Sequence, residues 1–194
     1  MPAGKVSAVK QVVVKVTATQ RGKGPVVPYS HERGLQTYTT PAADGSPRVV
    51  IYQVPLYAVV VDGGKAYIAV RFGLRNNGTT PLPRRPCDSG LAAGRICVPN
   101  WLPHYSPHSF RGASRPGAWQ LLPGKGFLIH EGADRAQRQV GGSIGCVEIL
   151  DGRWNEFLAE IETAAGGSCA QIAAQGKLRV MIEHTRYPDA VLMK

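Results

Sequence analysis

A histidine and a cysteine stand at the two ends of a glycine-rich polar segment, HEGADRAQRQVGGSIGC, which runs from His130 to Cys146. A thiol attacks a carbonyl group well only as a thiolate, and a nearby imidazole lowers the thiol pKa from its free value of about 8.5. Gly142 and Gly145 allow backbone conformations that bring N–H groups close to an oxyanion. This pattern predicts nucleophilic acyl chemistry at Cys146, although a histidine and a cysteine at this spacing also occur by chance.

Two elements are expected to hold this segment in place. The residues before the histidine, GKGFLI, are typical of a short strand that ends at His130. Residues 151–165, DGRWNEFLAEIETAA, predict a helix with Asp151 as its N-cap. Four large apolar side chains recur at helical spacing, which favours packing in the core over a binding surface: Trp154, Phe157, Leu158 and Ile161.

The rest of the chain predicts a mainly β protein, because its 23 glycines and 15 prolines are spread along the sequence and favour short strands and turns. We expect one domain over residues 1–194, β-sandwich-like, with one or two helices near the C-terminus. Residues 18–47 are polar and turn-rich, and about 75–118 is an irregular Pro/Gly/Arg-rich segment. Further strands are predicted at 9–17, on both sides of a DGG hairpin turn within 48–74, in AWQLL and GFLIH between 118 and 130, and at 177–184 after a short helix in SCAQIAAQG.

The chain carries a net charge of +10 with a pI of about 9.8, which suits an anionic partner such as nucleic acid, a membrane surface or an acidic cell-wall polymer. The sequence has no dense run of Lys and Arg, no zinc-finger spacing and no RNP-like aromatic motif, so no nucleic-acid partner is expected. No stretch reaches the ~18 apolar residues of a membrane helix, and the N-terminal residues lack the pattern of a Sec signal peptide.

The four cysteines form no CxxC pair, so we expect no zinc site. His104 and His108 lie four positions apart, but Pro107 between them disfavours a helix, and no metal site is expected there. Cys87 and Cys97 flank a short loop. They either close a disulfide in an oxidising compartment or remain two buried thiols.

The stretch FLIH followed by GGSIGCVEI resembles the active-site signature of the L,D-transpeptidases of the YkuD fold. In that family a strand ends in a histidine, and a variable loop leads to Ser/Thr-His-Gly-Cys and an apolar residue. On this resemblance His130 takes the position of the base and Cys146 that of the nucleophile. Ser143 and Gly145 take the positions of the Ser/Thr and the glycine. The residues that match the signature lie within about 117–150. Elsewhere the resemblance extends only to the expected order of strands and helix.

Three positions differ from the usual form of the signature: Glu131 replaces a glycine, Ile144 a histidine, and Glu148 an Arg or Asn. The stretch GSIGCVEIL is closer to a divergent branch whose signature reads Gly-Ser-Ala-Gly-Cys-Ile-Asp-Leu. That branch includes antibacterial effectors that are delivered by type VI secretion without a Sec signal. The resemblance therefore implies a periplasmic or cell-envelope location, with an immunity protein and secretion machinery as partners besides peptidoglycan.

The resemblance also implies a reaction, in which Cys146 forms a thioester with the third residue of a peptidoglycan stem tetrapeptide and the terminal D-Ala leaves. His130 moves the protons and backbone N–H groups stabilise the oxyanion, so no metal or organic cofactor is expected. Transfer to an amine gives transpeptidation or D-amino-acid exchange, and transfer to water gives L,D-carboxypeptidase activity. Three residues are candidates for substrate binding: Gly142, Glu148 and Tyr105.

The sequence also allows other interpretations of the function. A catalytically silent wall-binding module on the same fold agrees with the differences in the signature. A basic nucleic-acid-binding protein rests on charge alone, and a cysteine peptidase of another fold is disfavoured by chain order and spacing. Ser143 also suits an ordinary turn, and Glu148 a solvated or paired surface carboxylate. The ten Lys and Arg residues within 71–138 either rim the site or form a solvated basic face.

Overall fold

The structure is a computed structural model that describes residues 8–26, 39–41, 47–49, 51–74, 86–87, 94, 96–106, 115–122, 124, 126–137, 145–185 and 191–193. Its strands are, in chain order, β1 (Val12–Val26), β2 (Thr39–Pro41), β3 (Pro47–Val49), β4 (Tyr52–Val61), β5 (Ala66–Val70), β6 (Gly73–Leu74), β7 (Pro86–Cys87), β8 (Ile96–Cys97), β9 (Asn100–Leu102), β10 (Ala118–Gln120), β11 (Leu128–Glu131), β12 (Val147–Ile149), β13 (Leu178–Ile182) and β14 (Val191–Leu192). The helices are α1 (Trp154–Ala165) and α2 (Cys169–Ala174), with one 3-10 turn at Arg135–Gln137. The prediction of a mainly β chain with one or two helices near the C-terminus is confirmed.

Most of the described strands form one large sheet in the order β8-β13-β1-β4-β5-β12-β11-β10-β9, and β14 pairs with β4. β8 and β9 lie at opposite ends of this order, yet only Val98 and Pro99 separate them in the chain. Three steps between consecutive Cα atoms span at most ~11 Å. The sheet is therefore rolled until its two edges lie beside each other, so that distant strands enclose a common core.

The core lies on the inner side of this rolled sheet, where α1 packs against it. Apolar side chains from β1, β4, β5, β11, β12 and β13 join the helix in one buried cluster. The four helix residues predicted to face the core are all inside it, with 0 % of their surface exposed: Trp154, Phe157, Leu158 and Ile161. Burial of each such side chain contributes about 1.5–3 kcal/mol, which makes this helix stripe a main source of stability.

Several local predictions are confirmed. The DGG turn joins β4 to β5, with Asp62 and Gly63 at φ 46° and 74° as a tight hairpin requires. The strands predicted in AWQLL and GFLIH are β10 and β11, which pair antiparallel. The short helix α2 begins after Ser168, whose side chain accepts a hydrogen bond from the backbone N–H of Gln171. The late strand is β13, which pairs with β1 in parallel.

The first strand differs from the prediction. It was expected at 9–17 but runs over Val12–Val26, so the prediction of turn-rich structure is wrong for residues 18–26. The strand continues through two register irregularities in its pairing with β4, between Val16 and Gln20 and between Gln20 and Lys23. Residues 19–23 are exposed there, and polar side chains on an exposed stretch do not prevent strand pairing.

Two further predictions need correction. The segment 75–118 contains the short strands β8 and β9, which lack a periodic pattern because each forms only a few pairings at a sheet edge. The residue before α1 is Arg153, and no side chain caps this helix. Asp151 is not the N-cap, because it lies two residues before Arg153, and its carboxylate accepts a hydrogen bond from the Arg135 guanidinium instead. The segment 75–118 also contains β7, and its described residues are 86–87, 94, 96–106 and 115–118. Its other residues, and the side chain of Cys87 with its proposed disulfide, lie outside the described residues.

Gly132 follows the last residue of β11 and allows the chain to stay close to β12 there. Its N–H donates to the Ile149 carbonyl oxygen at 2.8 Å. A Cβ atom at this position would lie 2.7 Å from the Glu148 Cβ and 2.9 Å from the Leu150 Cδ2. Since both neighbours are buried, neither side chain has room to move away.

We therefore expect Gly132→Ala to lower the free energy of unfolding by about 1–3 kcal/mol, the usual cost of overpacking a filled site. Gly126→Ala is the matched control, since a Cβ at Gly126 would meet nothing within 4 Å. Urea denaturation of both variants measures the difference. Equal stability of the two variants would contradict this account of the strand pair.

Candidate active site

The site lies where β11 and β12 run side by side as parallel strands. Their register pairs Ile129 with Val147 and His130 with Glu148. Successive side chains of a strand point to opposite faces, so His130, Glu148 and Cys146 share one face. Ile129 and Val147 point to the other face and belong to the main core cluster. The predicted base and nucleophile are thus brought to the same side of neighbouring strands.

The separation of the two residues follows from this register. Cys146 immediately precedes β12 and lies two residues back from Glu148, the partner of His130. Two residues along a strand and one step between strands place the Cα atoms of His130 and Cys146 roughly 8 Å apart. A thiol and an imidazole can span that separation, which makes proton transfer between them geometrically feasible.

The imidazole of His130 is oriented by its own strand. Its Nδ1 lies 2.6 Å from the carbonyl oxygen of Glu131. A carbonyl oxygen can only accept a hydrogen bond, so Nδ1 carries the hydrogen and the Nε2 of the neutral ring has a lone pair. His130 is buried, which further restricts the ring. The backbone carbonyl therefore takes the orienting role that a carboxylate has in many catalytic triads.

The thiol of Cys146 is largely covered. Its Sγ donates a hydrogen bond to the Gly126 carbonyl oxygen at 3.4 Å, and the residue is 8 % exposed. Ala118 and Leu128 pack around it, with Leu102 and Tyr105 against the same cluster. The ring centroid of Tyr105 lies 5.3 Å from that of His130. Tyr105, predicted to line a substrate groove, therefore lies beside the histidine and forms part of the cover.

Glu148 is not at the surface, so its interpretation as a solvated carboxylate is wrong. It is 1 % exposed, and its Oε2 has no hydrogen-bond partner. Burial raises the pKa of this carboxyl to about 8. The sequence contained a signal for this environment, because the glutamate interrupts an apolar run, CVEIL, that is otherwise typical of a buried strand. Because Glu148 is buried beside His130, it is placed to act on the histidine and not to contact a substrate directly.

Both ends of the crossover between the two strands have a distinct local structure. The Nε of Arg135 donates to the Asp151 Oδ1 at 2.7 Å, and the guanidinium holds the pKa of that carboxyl below its usual value. At the other end, Gly145 is buried and has φ 134°, a region that favours glycine. This agrees with the predicted need for an unusual backbone next to Cys146. Two further predicted site residues lie outside the described residues: Gly142 and Ser143.

The predicted basic rim finds no support among the three of its residues that the structure describes. Arg71 is buried and donates to the carbonyl oxygens of Thr17 and Glu183. Arg115 forms a bidentate pair with Glu162, at 2.6 and 2.9 Å, and Arg135 pairs with Asp151. These side chains stabilise the fold. The other seven lie outside the described residues: Arg75, Arg84, Arg85, Arg95, Arg111, Lys125 and Arg138.

Within the described part of the chain, no group of three or more His, Cys, Asp or Glu side chains is arranged to hold a metal ion. None of the described helices is long and apolar enough to cross a membrane. A groove of about 430 Å³ lies on α1 and the turn that follows it, away from the histidine and cysteine, and its lining comprises Ala159, Glu162, Thr163, Gly167 and Ser168.

No family model, no curated protein and no solved structure matches the chain. The likeness to L,D-transpeptidases therefore stays a prediction from the motif. What the structure adds to the motif is the placement of His130, Cys146 and Glu148 on one face of two parallel strands.

The burial of Glu148 predicts a pH-dependent stability. Its carboxyl has a pKa of about 8 in the folded protein and about 4.3 in an unfolded chain. Between these values the folded protein binds the extra proton, so the free energy of unfolding falls as pH rises, by up to about 1.4 kcal/mol per pH unit. Glu148→Gln should lose this contribution and be more stable than the natural protein at about pH 8.

Urea denaturation of both proteins across this pH range measures the effect. The pKa of Glu131 is also raised by burial, but this residue is present in both proteins and cancels in the difference. A constant difference in unfolding free energy at every pH would contradict the assigned state of Glu148.

The cover over Cys146 gives a second prediction. Tyr105→Ala removes a ring from the cluster around the thiol and should speed alkylation of Cys146 by iodoacetamide several-fold. Peptide mass mapping provides an internal control in the same sample, because Cys169 is 1 % exposed and belongs to a different apolar cluster from Cys146. An unchanged Cys146 rate, or equal acceleration at Cys169, would show that Tyr105 does not cover the thiol.

Proposed function

We propose that this protein is a peptidoglycan-modifying cysteine enzyme that acts on stem tetrapeptides through a thioester at Cys146. The observation that carries the proposal is the placement of His130 and Cys146 on one face of parallel β11 and β12, with the histidine Nδ1 hydrogen-bonded to the Glu131 carbonyl. That arrangement leaves Nε2 as the proton acceptor for a thiol, which is what acyl transfer requires.

The first half-reaction forms the thioester. Nε2 of His130 takes the proton of the Cys146 thiol, and the thiolate attacks the carbonyl carbon between the third residue and the terminal D-Ala. Backbone N–H groups near Gly145 stabilise the oxyanion. The C–N bond then breaks, and the imidazolium returns its proton to the departing D-Ala amine. The imidazole is neutral again when the thioester is complete.

The second half-reaction resolves the thioester. His130 removes a proton from the acceptor, which attacks the thioester carbonyl, and the C–S bond breaks. The proton then passes from the imidazolium to the Cys146 thiolate. Water as acceptor gives L,D-carboxypeptidase activity, a D-amino acid gives exchange, and an amine of a second stem gives a cross-link. Neither half-reaction needs a metal or an organic cofactor.

The location and partners are part of the same proposal. A stem-peptide substrate implies action in the periplasm or cell envelope, and the likeness of GSIGCVEIL to the effector branch favours delivery by type VI secretion, with an immunity protein as a further partner. The cover over Cys146 favours one other candidate, a silent wall-binding module on the same fold. Such a module would bind peptidoglycan without need of the thiol.

Mass spectrometry of purified tetrapeptide muropeptides tests the reaction. We expect the protein to release or exchange the terminal D-Ala, and Cys146→Ala to reduce the rate by at least about a thousandfold, since removal of a nucleophile eliminates the covalent route. The product masses separate hydrolysis, exchange and cross-linking.

Cys169→Ala is the matched control, because it removes another buried thiol that packs in the core cluster. It should retain activity. Unchanged muropeptides with folded natural protein would refute the enzymatic proposal, and wall binding that persists in Cys146→Ala would then favour the silent module.

A further inference from the structure

Glu148 occupies a position at which an apolar side chain would stabilise the sheet better. Its neighbours Val147 and Ile149 are apolar and buried, and so is Val70, its partner on β5. The carboxyl is 1 % exposed with an unpartnered Oε2. An unpaired buried polar group destabilises a fold, and such groups concentrate at functional sites. A buried carboxyl at this position therefore points to an effect on a neighbouring group.

The charged and titratable groups near Glu148 identify that neighbour. Among the described residues on its face of the sheet, His130 is its register partner on β11 and Cys146 is two residues back along the chain. Tyr52 of β4 belongs to the apolar cluster that includes Val70. Arg71, just beyond β5, is bonded to backbone carbonyls, and strand alternation places the Glu131 side chain on the opposite face.

We propose that Glu148 is a positioning residue for His130: the two groups titrate as a coupled pair, and the ionised Glu148 carboxylate is the counter-charge of the His130 imidazolium. The catalytic role of this pair rests on the proposed function, whereas the coupling of the two groups does not. Register partners on adjacent strands have Cα atoms about 4.8 Å apart, which brings the carboxyl and the ring within the range of direct charge interaction.

The consequence concerns the acid form of the histidine. His130 is 5 % exposed, and burial by itself disfavours an imidazolium. A carboxylate in the neighbouring register position offsets that effect. The pair then binds protons in two coupled steps: the first proton distributes between the carboxyl and the ring, and the second protonates both. His130 thereby remains able to protonate a leaving amine despite its burial.

An NMR titration of the His130 ring Cε1–H signal tests this directly. The chain has five histidines, and His130→Gln identifies the signal. In the natural protein we expect two steps. In Glu148→Gln we expect a single step at least about one pH unit below the principal step of the natural protein, because the counter-charge is lost. Glu148→Asp keeps an ionisable group and should keep two steps.

Glu160→Gln is the matched control, because this carboxylate lies on α1 and hydrogen-bonds the Tyr67 hydroxyl on the other side of the sheet. Its His130 titration should equal that of the natural protein. The same single His130 step in the natural protein and in Glu148→Gln would overturn the proposal. Equal changes in Glu148→Gln and Glu148→Asp would also overturn it, since they indicate a packing effect alone.

The titration needs no substrate, so its failure is distinguishable from failure of the proposed function. Two coupled steps without turnover of muropeptides would uphold the Glu148–His130 pair and refute the substrate class. Turnover of muropeptides with an unchanged titration in Glu148→Gln would uphold the function and refute the pair.

Discussion

The parallel pairing of β11 with β12 is the constraint on which the site depends. Two consecutive strands can run parallel only if a crossover returns the chain to the start of the second strand, and such a connection takes a dozen residues or more. The polar, glycine-rich segment between Glu131 and Val147 is this crossover. It explains why a histidine and a cysteine far apart in sequence occur at its two ends: the crossover brings those ends together.

The rest of the fold keeps this strand pair rigid. The inner faces of both strands enter the main core cluster, to which Trp154 and Phe157 of α1 also belong. The Arg135–Asp151 pair joins the start of the crossover to the chain just before that helix. On the outer face, the apolar cover of Cys146 and the buried carboxyl of Glu148 exclude water from the imidazole, which strengthens every charge interaction there.

Features with a local signal could be predicted from the sequence, and features set by tertiary contacts could not. Helical spacing revealed the core stripe that includes Trp154, and the DGG turn revealed the β4–β5 hairpin. The N-cap prediction for Asp151 was wrong because the helix begins at Trp154, two residues later than that cap would set it, and an ion pair with Arg135 engages the carboxylate. At the site, residue types and glycines predicted catalytic roles for His130 and Cys146, and these roles stay a prediction. The apolar run CVEIL indicates a buried strand around Glu148, but its pairing with His130 and Val70 depends on which strands lie on either side and could not be predicted.

The proposed reaction requires that His130 and Cys146 form a reactive thiol–imidazole pair. The most direct test is the pKa of the Cys146 thiol, measured by the ultraviolet absorbance of the thiolate as a function of pH and corrected with Cys146→Ala. A histidine partner predicts a thiol pKa below the ordinary value of about 8.5, rising by about one unit or more in His130→Gln. A pKa above that value in the natural protein, unchanged in His130→Gln, would identify Cys146 as an inert buried thiol and contradict the account.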